Sequence, residues 1–410
     1  MKNKKEIPVT DILLHTPYEV PDPYGALNFP VYENAAYEFA TAEQMADAFT
    51  GKTAQYTYSR IANPTVKYFE DRIRNITQAF SVTALNSGMA AVTNAIFTLA
   101  RSGSNVVLSS HLFGNTYSFF YSTLKDFGVE ARFCDFSDLD RLEQSIDVQT
   151  CAVFCELISN PQMEVVDLEE ISRITHRKGV PFVVDTTIIP FSAFNAGKWG
   201  VDIEIVSSTK YISGGATSLG GLIVDYGSFD WNQSPKLKEY GGKEAFTTKL
   251  RKEIHRNLGA YMSPYTAHQQ TLGLETLAIR YEKSARTCRQ LVEELEKLPR
   301  IKKVNYPSLP SASYNRLSEK QFGELAGAMF TFDLESQEKC FHFLNRLQLI
   351  RRATNLFDNK TLAIHPASTI YGTFSEEQRR DMDVYATTIR ISVGLEDMNT
   401  LLQDIKQALS

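Results

Sequence analysis

The chain of 410 residues is poor in the features that mark several protein classes. Its five cysteines, Cys134, Cys151, Cys155, Cys288 and Cys340, are odd in number and scattered. That argues against the paired framework of a small disulfide-stabilised domain and predicts reduced, mostly buried thiols. Cys151 and Cys155 stand close together, but no histidine or further cysteine pair lies nearby at ligand spacing, so no metal site is expected. No apolar run approaches the ~18 residues of a transmembrane helix. The opening MKNKKEIPVTDILLH lacks the apolar centre of a signal peptide. A cytoplasmic chain outside any membrane is the expectation. Excess positive charge is missing too, since 43 Lys+Arg against 48 Asp+Glu leave a net charge of -5. Without a basic face, nucleic acids and anionic membranes are poor partners, and a small molecule is the natural one.

What is present is apolar surface: 43% of residues are hydrophobic and 22% charged, enough for a sizeable core in two domains. From about residue 80 short apolar runs alternate with amphipathic stretches, the pattern of parallel strands joined by crossover helices. Strands are predicted at 80–85, 105–109, 131–135, 151–156, 181–186, 203–207 and 221–225. Asp167, with Glu170 three residues on and Leu168, Ile171 and Ile174 at helical spacing, marks a helix start. A long helical region is predicted over 269–298, ending at Pro299. Beyond it, strand-like runs at 328–334 and 389–393 frame helices, which reads as a smaller α+β domain. The first 55 residues carry little periodicity and lead into Gln55-Tyr56-Thr57-Tyr58-Ser59-Arg60, an arm that either reaches a partner subunit or lies on the surface. The expected division is an arm at 1–55, a ligand-binding domain at 56–260 and a C-terminal domain at 261–410.

Three segments carry candidate chemistry. Lys210 follows an apolar strand inside Ser207-Ser208-Thr209-Lys210-Tyr211 and precedes the glycine-rich run 213–221. A lysine at a strand exit among hydroxyls and flexible backbone suits imine formation with a carbonyl cofactor, with Ser207 and Thr209 on a phosphate. An ordinary solvated loop lysine fits that segment equally. Asp185 ends the apolar run Phe182-Val183-Val184 at the edge where open α/β sheets bind ligands. It reads either as a partner for a pyridine nitrogen or as a structural carboxylate. Ser87-Gly88-Met89 leads from a strand into a helix, whose first amides and dipole form an anion site.

Together these segments resemble the pyridoxal 5'-phosphate (PLP) dependent Cys/Met metabolism enzymes of fold type I. The resemblance spans nearly the whole chain. It implies an α/β fold with a mostly parallel seven-stranded sheet and a smaller α+β C-terminal domain. Tyr58-Ser59-Arg60-Ile61-Ala62-Asn63-Pro64-Thr65 is similar to the segment whose tyrosine and arginine grip the PLP phosphate of a neighbouring subunit. Ser87, Gly88 and Met89 match the main-chain phosphate loop, and Asn160 in Ser159-Asn160-Pro161 the residue facing the ring oxygen. Asp185 and Thr187 match the ring-nitrogen motif; Ser207, Thr209 and Lys210 match the lysine signature. Arg390 in Arg390-Ile391-Ser392-Val393-Gly394 stands where the family binds the substrate α-carboxylate, a contact suited to a guanidinium fork. The stretch from Asn355 to Ser368 resembles O-acetylhomoserine sulfhydrylases, with Asn355 where synthases and γ-lyases carry serine.

Departures from the family pattern accompany these matches. Phe113 replaces the usual tyrosine, retaining a ring to stack on the cofactor but no hydroxyl for proton transfer. Tyr58 is the candidate to supply that hydroxyl. Val206, Thr186 and Phe357 replace histidine, asparagine and glycine, and Phe357 is expected to reshape the leaving-group pocket. The resemblance implies replacement of the acyloxy group of O-acetylhomoserine or O-succinylhomoserine by sulfide or a thiol, giving homocysteine or methionine. Elimination by a cystathionine or methionine γ-lyase, cystathionine γ-synthase activity, and a non-catalytic PLP-binding homologue are the alternatives. The family also implies a homotetramer built from two active dimers.

Overall fold

The computed structural model describes residues 8–18, 21–234 and 236–410. The first seven residues of the opening segment therefore lie outside the described residues. Runs rich in Val, Ile and Phe, each too short for a helix and bounded by turns, form β1 (Ser81–Leu85), β2 (Asn105–Ser109), β3 (Glu130–Cys134), β4 (Thr150–Glu156), β5 (Phe182–Asp185), β6 (Ile203–Val206) and β7 (Gly221–Asp225). They make one sheet in the order β1-β7-β6-β5-β4-β2-β3. Strands β2 to β6 run parallel to one another, whereas β7 is antiparallel to both β6 and β1. The sheet is mostly parallel, as expected, and each predicted strand is found within a residue or so of its place.

Alternation along the strands sends side chains into cores on both faces. Val183 and Ile205 join one core with the helix Gly88–Leu99; Val184 and Val206 join the other with the helix Leu168–Arg177. The latter helix starts as its sequence requires, with the Asp167 side chain accepting from the Glu170 N–H. The parallel strands thus present their carboxyl ends, including Glu156, Asp185 and Val206, along one edge, where ligands bind open α/β sheets.

The expected long helix differs. It begins earlier and is two helices, Pro264–Glu275 and Leu277–Leu295, meeting at Thr276. Arg280 explains the break: its guanidinium donates to the Gly273 carbonyl at 2.7 Å and to Thr276 Oγ1 at 3.0 Å, replacing helical bonds there. A Cβ on Gly273 would lie 2.1 Å from the Ile212 carbonyl oxygen, so glycine lets this helix press against the turn after Lys210.

A second sheet, in the order β10-β11-β12-β9-β8, comprises β8 (Lys303–Asn305), β9 (Met329–Asp333), β10 (Arg351–Arg352), β11 (Leu362–Ile364) and β12 (Thr388–Ser392). Strands β9 and β12 are the two predicted runs. The others are too short to show a two-residue alternation. Arg390 sits mid-strand in β12, opposite Thr331 and Ile364. The N-terminal region contains the helices Val9–His15 and Ala42–Phe49, the second without a buried side chain. Among the described residues no helix is long and apolar enough to cross a membrane.

Candidate active site

The sequence-predicted residues, except Tyr58 and Arg60, line one cavity of about 700 Å³. Its floor is the carboxyl edge of the large sheet, and its far wall comes from the C-terminal region through Thr354, Asn355, Leu356, Ile370 and Arg390. Lys210 follows a tight turn after β6. Its main-chain N–H donates to Ser207 O, while Thr209 Oγ1 donates to Gly220 O at 3.2 Å and accepts from Gly220 N at 3.0 Å. The Thr209 hydroxyl proton is therefore engaged within the turn. Lys210 Nζ donates to Asn355 Oδ1 at 2.8 Å. Burial first, then the Arg390 charge, lowers its pKa to about 8 against the opposing pull of Asp185.

Asp185 is pushed the other way. Burial raises its carboxyl above the usual range, opposed by Thr187, whose N–H donates to Oδ1 at 2.9 Å, and by Lys210. Thr187 Oγ1 also accepts from the Ser207 N–H at 2.8 Å, tying the ends of β5 and β6 together. Ser87 caps the helix Gly88–Leu99 by accepting from Ala90 N, which leaves the first amides of that helix without helical partners beside Ser207. A Cβ on Gly88 would lie 2.8 Å from Ser207 Cβ, and one on Gly221 would lie 2.0 Å from the Ser87 carbonyl oxygen. The cradle is thus a space that a methyl group would fill, with amide donors of the right kind for phosphate.

Arg390 is 2% exposed, and among the described residues it has no acidic partner. Nη1 donates to Asn160 Oδ1 at 3.2 Å and Nη2 to the Thr354 carbonyl at 3.1 Å, while Nε is buried with no bond. A buried guanidinium without a counter-ion is costly, and burial lowers its pKa to about 10. It is set to receive a carboxylate. The apolar remainder, including Val92, Ile158, Ile188 and Leu219, suits a short aliphatic side chain.

The two other sequence-predicted residues lie elsewhere. Tyr58 is 43% exposed, and Arg60 lines a separate cavity of about 330 Å³, donating to the Arg256 carbonyl with its guanidinium 5.6 Å from the Tyr58 ring centre. Neither meets the Lys210 cavity of its own chain. Phe357 does not reshape the pocket either. It sits at φ 57°, which explains why glycine suits the position, and turns its buried ring away to stack on Tyr211 at 4.3 Å. Val206 packs into the core, and Thr186 donates its hydroxyl to buried Glu204, so these departures also lie outside the cavity lining. Glu156 was missed by sequence reasoning. It ends β4 beside Asp185, lines the cavity, and accepts the Phe113 N–H. Its signal was available: like Asp185, it is an acid closing an apolar strand.

Comparison with known proteins agrees with this geometry. A family model described as Cys/Met metabolism PLP-dependent enzyme matches residues 11–410. Sulfhydrylase FUB7 of Fusarium oxysporum is 35% identical over 96% of this chain and 95% of its own. L-methionine gamma-lyase of Pseudomonas putida is 33% identical over 97% and 96%. A Campylobacter jejuni crystal structure, described as an O-acetylhomoserine (thiol)-lyase with an N'-pyridoxyl-lysine-5'-monophosphate, is 34% identical. It covers 98% of this chain and all of its own, with a TM-score of 0.92.

Proposed function

The chain belongs to the Cys/Met metabolism PLP-dependent enzymes, and from that premise we propose that it replaces the γ-acyloxy group of O-acetylhomoserine or O-succinylhomoserine with sulfide or a thiol. The observation that carries this is the buried, unpaired Arg390 sharing one cavity with Lys210 and Asp185. PLP is the cofactor of the family, and the site fits it: an amide-lined cradle at Gly88, an acid at Asp185 and a lysine at position 210 line one cavity. When bound, PLP supplies an electron sink for the pair left by a broken C–H bond.

The chain's own residues do the rest. Ser87, Gly88, Met89 and Ser207 hold the phosphate beside the turn that Thr209 ties to Gly220, Asp185 keeps a proton on the ring nitrogen, and Asn160 faces the ring oxygen. Thr187 fixes Asp185, and Phe113 covers the ring. Arg390 clamps the substrate α-carboxylate through its unpaired Nε and adjacent Nη, with the Asn355 side-chain N–H beside it. Lys210, whose pKa burial and Arg390 bring down to about 8, would take the proton from Cα, hand it on to the bound cofactor and, neutral again, take one from Cβ. Asn355 Oδ1 keeps the amine in place between these transfers. The carboxylate leaves from Cγ and the sulfur nucleophile bonds there, losing its proton; protons then return to Cβ and Cα through the Lys210 amine, giving homocysteine from sulfide or methionine from methanethiol.

Tyr58 and Arg60, outside the cavity of their own chain, serve the phosphate of a partner subunit. This reading requires at least a dimer, and we propose a homotetramer of two such dimers, with residues 56–260 as the cofactor domain and 261–410 as the C-terminal domain. We place the enzyme in the cytoplasm, where its five cysteines stay reduced.

Holoenzyme incubated with each acylated homoserine and with sulfide, methanethiol or cysteine should yield the thioether or thiol product and free carboxylate, read by mass spectrometry. Ammonia and a keto acid as the main products would reject replacement in favour of a carbon–sulfur lyase. No product from any pair, with PLP bound, would leave a non-catalytic homologue.

A further inference from the structure

Glu156 is a buried acid in the cavity to which the proposed chemistry gives no task. It closes β4 directly beside Asp185, which closes β5, and the two are register partners. Its side chain is 8% exposed. The carboxyl accepts the main-chain N–H of Phe113, and the nearby main-chain N–H of Asn160 also favours its charged form. These N–H groups belong to the segments that follow the neighbouring strands β2 and β4. Tyr371, from the C-terminal region, lies with its hydroxyl 2.9 Å from the Leu112 carbonyl and 2.7 Å from that of Asn160. The same two loops are thus fastened by a sheet carboxyl and by a C-terminal hydroxyl.

The consequences run in two directions. Through Phe113, Glu156 fixes the residue that covers the ring. Through Asn160, whose Oδ1 accepts from Arg390 Nη1 at 3.2 Å, it fixes the guanidinium that meets the substrate. We infer that Glu156 is a positioning residue, a carboxyl that holds the ring-covering Phe113 loop and the Asn160–Arg390 pair in one fixed relation. The inference rests on the roles proposed above for Phe113 and Arg390. Its task is to accept hydrogen bonds, which the carbonyl oxygen of an uncharged carboxyl still does. Burial, followed by the neighbouring Asp185, pushes Glu156 well above the usual carboxyl range, which keeps a second negative charge away from Asp185. An amide should therefore replace it.

The test uses PLP-loaded protein and three variants. Glu156→Gln should stay within about threefold of wild type in kcat and in KM for the amino acid, and should keep the visible circular dichroism of bound PLP. Glu156→Leu, similar in size but without an acceptor, should retain PLP yet lose most of that dichroism. Its kcat should fall by about tenfold to a hundredfold and its KM should rise. Glu156→Asp, a methylene shorter, serves if the leucine variant does not fold, and should show the same losses. Deuterium exchange at the substrate Cα needs no acyl leaving group, so it should follow the same order. A wild-type enzyme that exchanges this proton but makes no replacement product refutes the proposed function and leaves the exchange order as the test of Glu156. Loss of function in Glu156→Gln equal to that in Glu156→Leu or Glu156→Asp overturns the inference. So does unchanged dichroism and kcat with only a lower Tm.

Discussion

At the residue scale, a depressed lysine pKa does not by itself mark the reactive amine. Lys236 is also lowered to about 8, chiefly by burial, but its Nζ is spent on the Phe97 and Ala100 carbonyls that end a helix. Lys210 has the same depression in a cavity with Asp185 and Arg390. The difference is placement. A lysine with a pKa of about 8 is roughly one-tenth neutral at pH 7, against about one part in several thousand for an ordinary lysine. Only the neutral amine attacks the PLP carbonyl carbon. PLP added to apoprotein should therefore develop its visible band at a rate that falls about tenfold per pH unit between pH 7 and 6. Borohydride trapping and peptide mapping should then find the pyridoxyl group on Lys210. A label on Lys236, or a rate flat across that range, would contradict the assignment. The environment of Phe357 is equally a matter of placement, since its φ of 57° directs the ring to Tyr211 and away from the substrate.

At the scale of elements, the phosphate cradle exists because β7 begins on glycine where the helix Gly88–Leu99 begins. The strand entry and the helix N-terminus are closer than side chains permit. Gly221→Ala would put a methyl group 2.0 Å from the Ser87 carbonyl, and backbone cannot give way as a flexible side chain can. The helix start should be displaced and the amides turned from the phosphate. PLP affinity should drop by more than about tenfold, measured by equilibrium titration of absorbance, together with a fall in Tm of the apoprotein. Gly241→Ala is the matched control, because nothing lies within 4 Å of a Cβ there, although its φ of 67° will itself cost some stability. Equal PLP affinities in the two variants would remove the close approach from the account of the cradle.

At the scale of the whole molecule, Arg60 and Lys210 belong to different cavities of one chain. If they serve one site between two chains, an isolated monomer is inactive and damaged subunits complement each other. Lys210→Ala and Arg60→Ala chains, each measured alone and then unfolded, mixed and reassembled, should recover about a quarter of wild-type activity. Half of randomly formed dimers are mixed, and each mixed dimer has one intact site of two. Activity no greater than the sum of the parents, with both variants folded and Arg60→Ala severely impaired on its own, would return Arg60 to its own subunit.

The sequence by itself determined what local chemistry dictates. The seven strands of the large sheet were legible because short apolar runs and their bounding turns are local signals, and the helix after Asp167 because its cap and apolar stripe are contiguous. Lys210, Asp185 and the Ser87-Gly88-Met89 loop were legible as motifs in short segments. Tertiary structure decided what depends on distant segments meeting. Asn355 accepts from Lys210 across 145 positions, and Arg390 reaches Asn160 across 230. No periodicity encodes such pairings, which arise when the C-terminal region meets the carboxyl edge of the large sheet. The strands β8, β10 and β11 are held by neighbours, being too short to carry a pattern of their own. Glu156 lay in plain view as an acid ending a strand. Only burial beside Asp185, with the Phe113 N–H closing on it, distinguishes it from any other strand-end glutamate.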